Sequence, residues 1–489
     1  MERLDPEICY RALRARDARF DGRFFVAVRT TGIYCRPICP APAPLRKNIA
    51  FFGCAAAAEA AGFRPCLRCR PETAPGTPRW VGAAATVSRA LRLIESGALD
   101  EGDVANLAAD LGIGERQLRR LFAHHLGTSP LAVASSRRAH HARLLLDATD
   151  LPVAQVAFAS GFGSLRQFNA AIRKCFRNTP TGLRRSHRGA LPAHGSCRFR
   201  LPFRPPLAWE QLLRFLSARA IPGLEQVEGS RYRRSFIDGG SSGFFEVGLE
   251  TSGHALQLSV TGAPAGALLR LVRRVRQMFD LDAEPMAIAA ALSQSRLLAD
   301  SVRERPGLRV PGTWDPFEAL VRGMVGQQIS VAAATTICGR LVRRLGPPVR
   351  GAPGLTHAFP TAGSLAQADL TAVGLPLLRA RNLAWMAERI ARDPELLSPA
   401  RNLEALVERL CAFAGVGPWT AHYVAMRGFH EPDAFPARDL GLLRGAGGLS
   451  WRELEAGVDP VRPFRAYAAL HLWAKSSDEV GHAARAVAS

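Results

Sequence analysis

Lysine is nearly missing from this chain: Lys47, Lys174 and Lys475 are the three lysines among 489 residues. Schiff-base chemistry needs a lysine amine as nucleophile, so the long stretch between Lys174 and Lys475 cannot perform it. Apolar runs of membrane-spanning length are missing too, and the opening MERLDPEICYRALRARDARF has no apolar signal core. A cytoplasmic protein with no membrane partner is expected. Thiols stay reduced there, which disfavours structural disulfides and turns clustered cysteines toward metal binding or chemistry. No cysteine follows Cys411, which excludes a four-cysteine iron-sulfur cluster from the last part of the chain. Acid is also scarce. With 64 Lys+Arg against 42 Asp+Glu the net charge is +22, more than solubility requires, and a polyanion is the expected partner. Nearly all of the positive charge is arginine, which suits bidentate phosphate contact, although genome composition would produce the same bias.

Length predicts about three domains. Two stretches rich in breakers, RPETAPGTPR (70–79) and RRSHRGALPAHGS (184–196), read as linkers. Between them the pattern is helical from Thr86 to about Ser186. The third segment opens with strand-like pieces and turns helical from about Gly266.

Cys35 and Cys39 sit in RTTGIYCRPICPA, and Cys66 and Cys69 in FRPCLRC. A close pair lets one turn deliver two sulfurs to one side of a tetrahedron, so this spacing suits a four-thiolate zinc centre. Spacing alone serves a structural zinc knuckle as well as a reactive one, since a zinc-bound thiolate stays deprotonated. The segments AVRTTGIYCRPIC and AAGFRPCLRC, within residues 1–75, resemble the amino-terminal domain of the Ada family of methyl-phosphotriester repair proteins. The resemblance implies zinc held by Cys35, Cys39, Cys66 and Cys69, and Cys35 as the acceptor of a methyl group from the DNA backbone. Cys9 and Cys54 lie outside the motif and read as small core residues.

In the middle, VANLAADLGIGERQLRRLFAHHLG pairs a short helix, a glycine turn and a second helix that displays Arg116, Arg119 and Arg120. The same grammar recurs in VAQVAFASGFGSLRQFNAAIRKCF, where Arg166, Gln167, Asn169 and Arg173 are displayed. A helical spacer with a solvated basic face would show one such element. Two in tandem, both basic, resemble the AraC-type DNA-binding domain over residues 80–186, which implies double-stranded DNA at promoter operators and RNA polymerase as partners.

The third segment contains LCAFAGVGPWTAHYVAMRGF, a helix that ends at the Gly415–Gly417 hairpin before another starts at Pro418. Bare glycines before a helix N-terminus suit a phosphate cradle, so Gly415, Gly417 and Thr420 are candidate DNA contacts. With FPARDLGLLR this ensemble resembles the AlkA branch of the helix-hairpin-helix DNA glycosylases, over residues 198–489. The resemblance implies Asp439 as the essential carboxylate, Phe215, Trp419, Tyr423 and Trp473 as the pocket for an extruded base, and Gln328 as the wedge in the duplex. Asp439 also reads as a helix cap before LGLL, and Trp419 and Tyr423, four apart, also read as one buried helical face. Asp433 reads as exposed loop. Strand-cutting relatives use a lysine, so release of the base alone is implied.

The expected fold is multidomain: a small zinc-bound α+β domain, an all-α tandem helix-turn-helix domain, and an α+β helix-hairpin-helix glycosylase. The expected function joins alkylation sensing and gene activation to excision of 3-methyladenine-type bases. One alternative is a zinc-containing transcription factor whose glycosylase fold only clamps DNA; another makes the thiols a redox sensor. No Pro-Cys-His-Arg motif occurs, so direct repair of alkylguanine is not expected.

Overall fold

A computed structural model describes residues 5–76, 85–95, 97–100, 102–185, 196–251, 253–400 and 402–488. The chain divides into two compact units: Met1–Pro205 with Leu249–Arg273 and Leu281–Ala283, and Pro206–Gly248 with Arg274–Asp280 and Glu284–Ser489.

The first unit opens with helix α1, Pro6–Ala15, capped by the Asp5 carboxylate and started by proline at its first position. Strand β1, Phe25–Val28, pairs antiparallel with β2, Ile33–Cys35, and with β3, Ile49–Phe52. Helix α2, Ala55–Ala60, precedes the short strand β4, Arg64–Pro65, which runs parallel to β2 and places Pro65 opposite Tyr34. Alternation along β1 sends Phe24 and Val26 into one cluster with Cys9, Ala12 and Leu13, and Phe25 and Ala27 into another with Tyr34 and Ala58. The sheet is thus covered by α1 on one face and α2 on the other. Because β2 ends on Cys35 and β4 runs straight into Cys66, the register itself brings the two cysteine pairs together.

The helical part comprises α3 (Ala85–Glu95), α4 (Val104–Asp110), α5 (Glu115–Leu126), α6 (Pro130–Ala148), α7 (Val153–Ala159), α8 (Leu165–Phe176) and α9 (Pro180–Arg185). Gly112 and Gly161, at φ +70° and +85°, make the two turns that precede α5 and α8. Ser129 and Ser164 cap α6 and α8 through their hydroxyls. The long α6 connects the two pairs and buries Ala134, Ala139, Ala142, Leu145 and Leu146.

The first breaker-rich stretch is tied down where it is described. Pro71–Thr73 form a 3-10 turn, and Arg70 pairs with Glu72 at 3.0 Å and with Asp147 of α6. Arg143 of α6 binds Asp147 at 3.0 Å beside Glu72. Proline and glycine density marked a break in regular structure there, and buried charge closes it; residues 77–79 lie outside the described residues. Of the second stretch, Arg184 and Arg185 end α9 and Ser196 starts β5, whereas 186–195 lie outside the described residues. Strand β5, Ser196–Pro202, pairs antiparallel with β9, Ala255–Thr261.

The second unit begins with helix α10, Trp209–Ser217, and an antiparallel meander of β6 (Glu225–Glu228), β7 (Arg231–Asp238) and β8 (Ser241–Leu249). Its helices then build the cleft. The Pro316–Val325 helix packs against Pro418–Arg427 so closely that a Cβ added at Gly323 would stand 3.2 Å from the Thr420 methyl. The Leu403–Cys411 helix leads into the 415–417 hairpin, where Gly415 has φ +81° and Val416 is buried. A buried ionic cluster ties strands to helix: Arg234 reaches Glu225 at 2.9 Å and Glu318, while Arg322 Nε reaches Glu318 at 2.8 Å. Among the described residues no helix is long and apolar enough to cross a membrane.

Candidate functional site: a four-cysteine centre and an aromatic cleft

The sulfurs of Cys35, Cys39, Cys66 and Cys69 all lie within 4.8 Å of one another. None is in a disulfide. As free thiols they could only share protons: hydrogen bonding within the cluster pulls Cys66 down and lowers Cys39 to about 7, while it pushes Cys35 and Cys69 up. A divalent cation would let all four serve as thiolates, and four soft donors closing a tetrahedron fit zinc. Cys39 and Cys69 are buried, whereas Cys35 and Cys66 are partly open. The Arg36 amide donates to Cys69 Sγ at 3.3 Å, and its guanidinium, itself buried, pairs with Asp21. This arrangement holds the β2 turn in place behind Cys35.

A second polar cluster escaped the sequence. Glu59 Oε1 accepts from the Tyr34 hydroxyl at 2.8 Å, sits 2.9 Å from His140 Nε2 of α6, and accepts from the Cys175 thiol of α8 at 3.5 Å. Burial opposes charge on both groups. Their mutual attraction wins, so Glu59 is held below the usual carboxylate range and His140 above the usual imidazole range. Spacing carried no signal for it, because its members come from four separate elements.

Arg116, Arg119 and Arg120 are exposed on α5, and Arg166, Gln167 and Arg173 on α8. Arg119 also pairs with Glu115 one turn back. Asn169 is half-buried.

In the second unit a cleft of about 1480 Å³ brings together Phe215, Trp419, Tyr423, Asp439 and Trp473. Asp439 caps the Leu440–Gly445 helix: its Oδ1 accepts from the amides of Gly441 at 2.9 Å and Leu442 at 3.1 Å. The same carboxylate accepts from the indole of Trp473 at 2.8 Å and of Trp419 at 2.9 Å. Cap and cleft acid are therefore one residue. Four donors hold the carboxylate in one orientation at the cleft wall. Trp419 and Tyr423 stack with ring centres 5.5 Å apart and planes 12° apart, while Phe215 and Trp473 lie 6.5 Å apart. Asp433 is not loose loop, as expected from EPD: Arg465 and Arg462 clamp it, with Arg465 Nε at 2.8 Å. Two later arginines that close onto it are far away in sequence, which is why the segment read as free.

Gln328 is exposed with φ +58°, a conformation that costs a non-glycine residue energy. Gln327 beside it donates to the Gly415 carbonyl and to the Thr420 hydroxyl, each at 2.8 Å. Thr420 is only 2% exposed, so it supports this loop and is removed from the set of surface DNA contacts. This first-turn position is covered by the Pro316–Val325 helix. Gly415 and Gly417 do lie at the surface.

Two arginines in the cleft were missed, although each follows an aromatic residue by four, Arg427 within the Pro418–Arg427 helix and Arg219 in the turn just after α10. Arg219 Cζ stands 3.8 Å from the Phe215 ring centre, and Arg427 Cζ stands 5.0 Å from the same ring. Arg427 also donates to the Tyr423 hydroxyl at 2.5 Å. Burial alone would push that phenol up, but the guanidiniums of Arg427 and Arg219 outweigh it and hold it below its ordinary range. Burial brings Arg219 itself down to about 10.

Four family models match the chain: the metal binding domain of Ada at residues 8–72, a helix-turn-helix domain at 107–186, the AlkA N-terminal domain at 198–315, and the HhH-GPD superfamily of base excision DNA repair proteins at 321–458. A probable bifunctional transcriptional activator/DNA repair enzyme AlkA of Mycobacterium tuberculosis is 42% identical over 478 residues, 96% of each chain. DNA-3-methyladenine glycosylase 2 of Escherichia coli is 32% identical over 278 residues, 56% of this chain and 96% of that one. Among solved structures, the 3-methyladenine DNA-glycosylase from Archaeoglobus fulgidus covers 57% of this chain and 98% of its own, with TM-score 0.51 and 21% identity, a likeness of fold.

Proposed function

Because the chain belongs to the family of bifunctional transcriptional activator/DNA repair enzymes of the AlkA type, we propose that it senses methylated DNA through Cys35, activates genes through its helix-turn-helix pair, and excises alkylated bases at Asp439. The observation that carries the excision reading is the Asp439 carboxylate, fixed by two indoles and two amides where four aromatic side chains line one cleft. Breaking the bond between sugar and base leaves an oxocarbenium-like carbon. The oriented carboxylate stabilises it while water adds, and the rings stack on the extruded base. The enzyme is monofunctional in this reading. Lys475 is the lysine nearest to the cleft in sequence, and its ammonium is turned to the Leu297 carbonyl at 3.4 Å.

At the other centre, zinc when bound holds the four sulfurs as thiolates. Cys35, which is partly open, attacks the methyl carbon of a phosphotriester. The sulfur-carbon bond forms as the carbon-oxygen bond breaks, and the phosphodiester leaves as an anion. Cys39 and Cys69 are too buried to compete. Operator DNA meets α5 and α8, Gln328 enters the duplex at the damaged base, and RNA polymerase is the partner of the activating function.

The test is mass spectrometry of the zinc-loaded full chain after incubation with methylated DNA. A gain of one methyl group on Cys35 and free alkylated purine in solution are expected. A chain that shows neither, with one zinc bound, would refute the reading.

A further inference from the structure

Four aromatic side chains beside a carboxylate would make an electron-rich pocket, suited to a base that carries positive charge. This cleft is different. Arg219 lies over one ring of the set, Phe215, and Arg427 stands near both Phe215 and Tyr423, at 5.0 and 5.4 Å from their centres. Neighbouring Arg322 and Arg234 are neutralised by Glu225 and Glu318. Neither Arg219 nor Arg427 forms an ion pair with a carboxylate among the described residues. Arg427 spends its donors on the carbonyls of Pro311 and Gly312 and on the Tyr423 hydroxyl. Arg219 donates to the Phe215 carbonyl at 3.3 Å and also interacts with the Tyr423 hydroxyl, and meets no carboxylate among the described residues.

We propose that Arg219 is a specificity-determining residue that turns the cleft toward uncharged bases with a ring carbonyl oxygen, and away from cationic alkylpurines. The inference rests on the reading of this cleft as the base pocket. A purine alkylated on N3 or N7 carries a formal positive charge in the nucleotide. Its attraction to Phe215 is already taken by a guanidinium 3.8 Å away, and it would meet that cation in a site of low dielectric. A neutral oxopurine instead offers a carbonyl oxygen to a guanidinium that no carboxylate neutralises.

The same contact helps such a base to leave. When the bond between C1′ and nitrogen breaks, the electron pair goes to the base. A neutral base then becomes anion-like, and its charge spreads onto the carbonyl oxygen that Arg219 faces. Water supplies the hydroxyl that ends on C1′ and the proton that ends on the base. A cationic base departs neutral and gains nothing from the guanidinium. Pocket charge thus acts on the two substrate classes in opposite directions.

The experiment measures single-turnover release of hypoxanthine and of 7-methylguanine from matched duplexes, using the full chain, Arg219→Met, Arg219→Gln and Asp439→Asn. Arg219→Met should lower the ratio of hypoxanthine release to 7-methylguanine release by about tenfold, the usual scale for a charge-assisted hydrogen bond. Arg219→Gln, which keeps donors without charge, should fall between. Thermal melts matching the parent report that the variants are folded. If base release persists and the ratio of the two rates stays within about twofold of the parent, the role of Arg219 is overturned while the pocket reading stands; equal losses on both substrates overturn it as well. If Asp439→Asn releases both bases at the parent rate, the pocket reading itself fails.

Discussion

The Tyr34 hydroxyl and the Glu59 carboxylate meet at 2.8 Å, one residue away from Cys35. Glu59 also meets His140 of α6 and Cys175 of α8, so a single carboxylate joins the strand that carries the proposed methyl acceptor to the helical part of the same unit. Replacing Glu59 with alanine strips the buried Tyr34 hydroxyl and the partly buried His140 and Cys175 of their shared acceptor. A loss of about 3 kcal/mol is expected, the scale for breaking a buried charged pair. Hydrogen exchange in α2 and α6 of the full chain checks it, and unchanged protection would count against the hub.

The pair also predicts a pH window. His140 is raised above its usual range, so its contribution is complete below about pH 6.5 and is lost as pH rises through the raised value. Glu59 is lowered, so its contribution is present above about pH 4.5 and is lost as pH falls through the lowered value. Tyr34, Cys175 and Glu72 act on the same groups. Protection of α6 should therefore decline as pH rises above about 6.5 and through the raised His140 value, and the decline should vanish in His140→Asn. A parallel decline in both proteins would place its cause elsewhere.

Asp439→Asn keeps the volume and one acceptor oxygen but removes the charge. Base release should fall by about 10²-fold or more, the scale of losing one preorganised electrostatic group, with DNA affinity nearly unchanged. Abasic product strands should stay intact until alkali is added. Release at the parent rate would dismiss Asp439 from the chemistry.

Glu318 is fully buried between Arg234 and Arg322. Glu318→Ala should cost about 3 to 5 kcal/mol, because two guanidiniums are left with a single carboxylate. Its neighbour Glu225 is pushed up by burial yet drawn down to about 2 by Arg322 and Arg234. The contribution of Glu225 is present above about pH 4.5 and fades as pH falls toward 2. Denaturant melts followed by tryptophan fluorescence measure both effects.

Methylation of Cys35 would change the net charge of a four-thiolate zinc centre from minus two to minus one. Each unit of charge interacts with a phosphate about 10 Å away by about 0.4 kcal/mol in water-like dielectric, before screening. Several phosphates together bring the relief to about 1 to 2 kcal/mol, or about tenfold in affinity. Operator binding should tighten on methylation, most at low salt. Equal affinities across a salt series would exclude this charge switch and leave methyl acceptance untouched.

Motifs read from local sequence found the places where chemistry depends on neighbours along the chain. The two cysteine pairs, the glycine turns before α5 and α8 and the hairpin at 415–417 are such places, because a turn or a helix start is decided by a few adjacent residues. Asp439 was legible twice, as a helix cap and as the proposed acid; the structure shows the cap and sets the same carboxylate against two indoles in the cleft. Asp433 and Thr420 were misjudged because what covers them arrives from elsewhere: Arg462 and Arg465 for the one, the Pro316–Val325 helix for the other. Glu59 with His140 and Cys175, and Glu318 between two arginines, had no spacing to betray them. Composition and local order determined the kinds of element, the four-cysteine cluster and the basic helical surfaces. Tertiary structure alone decided which charges are neutralised and which stay open, since burial makes a carboxylate or guanidinium costly unless a partner from a distant segment meets it, and Arg219 meets the Tyr423 hydroxyl in the cleft but no carboxylate among the described residues.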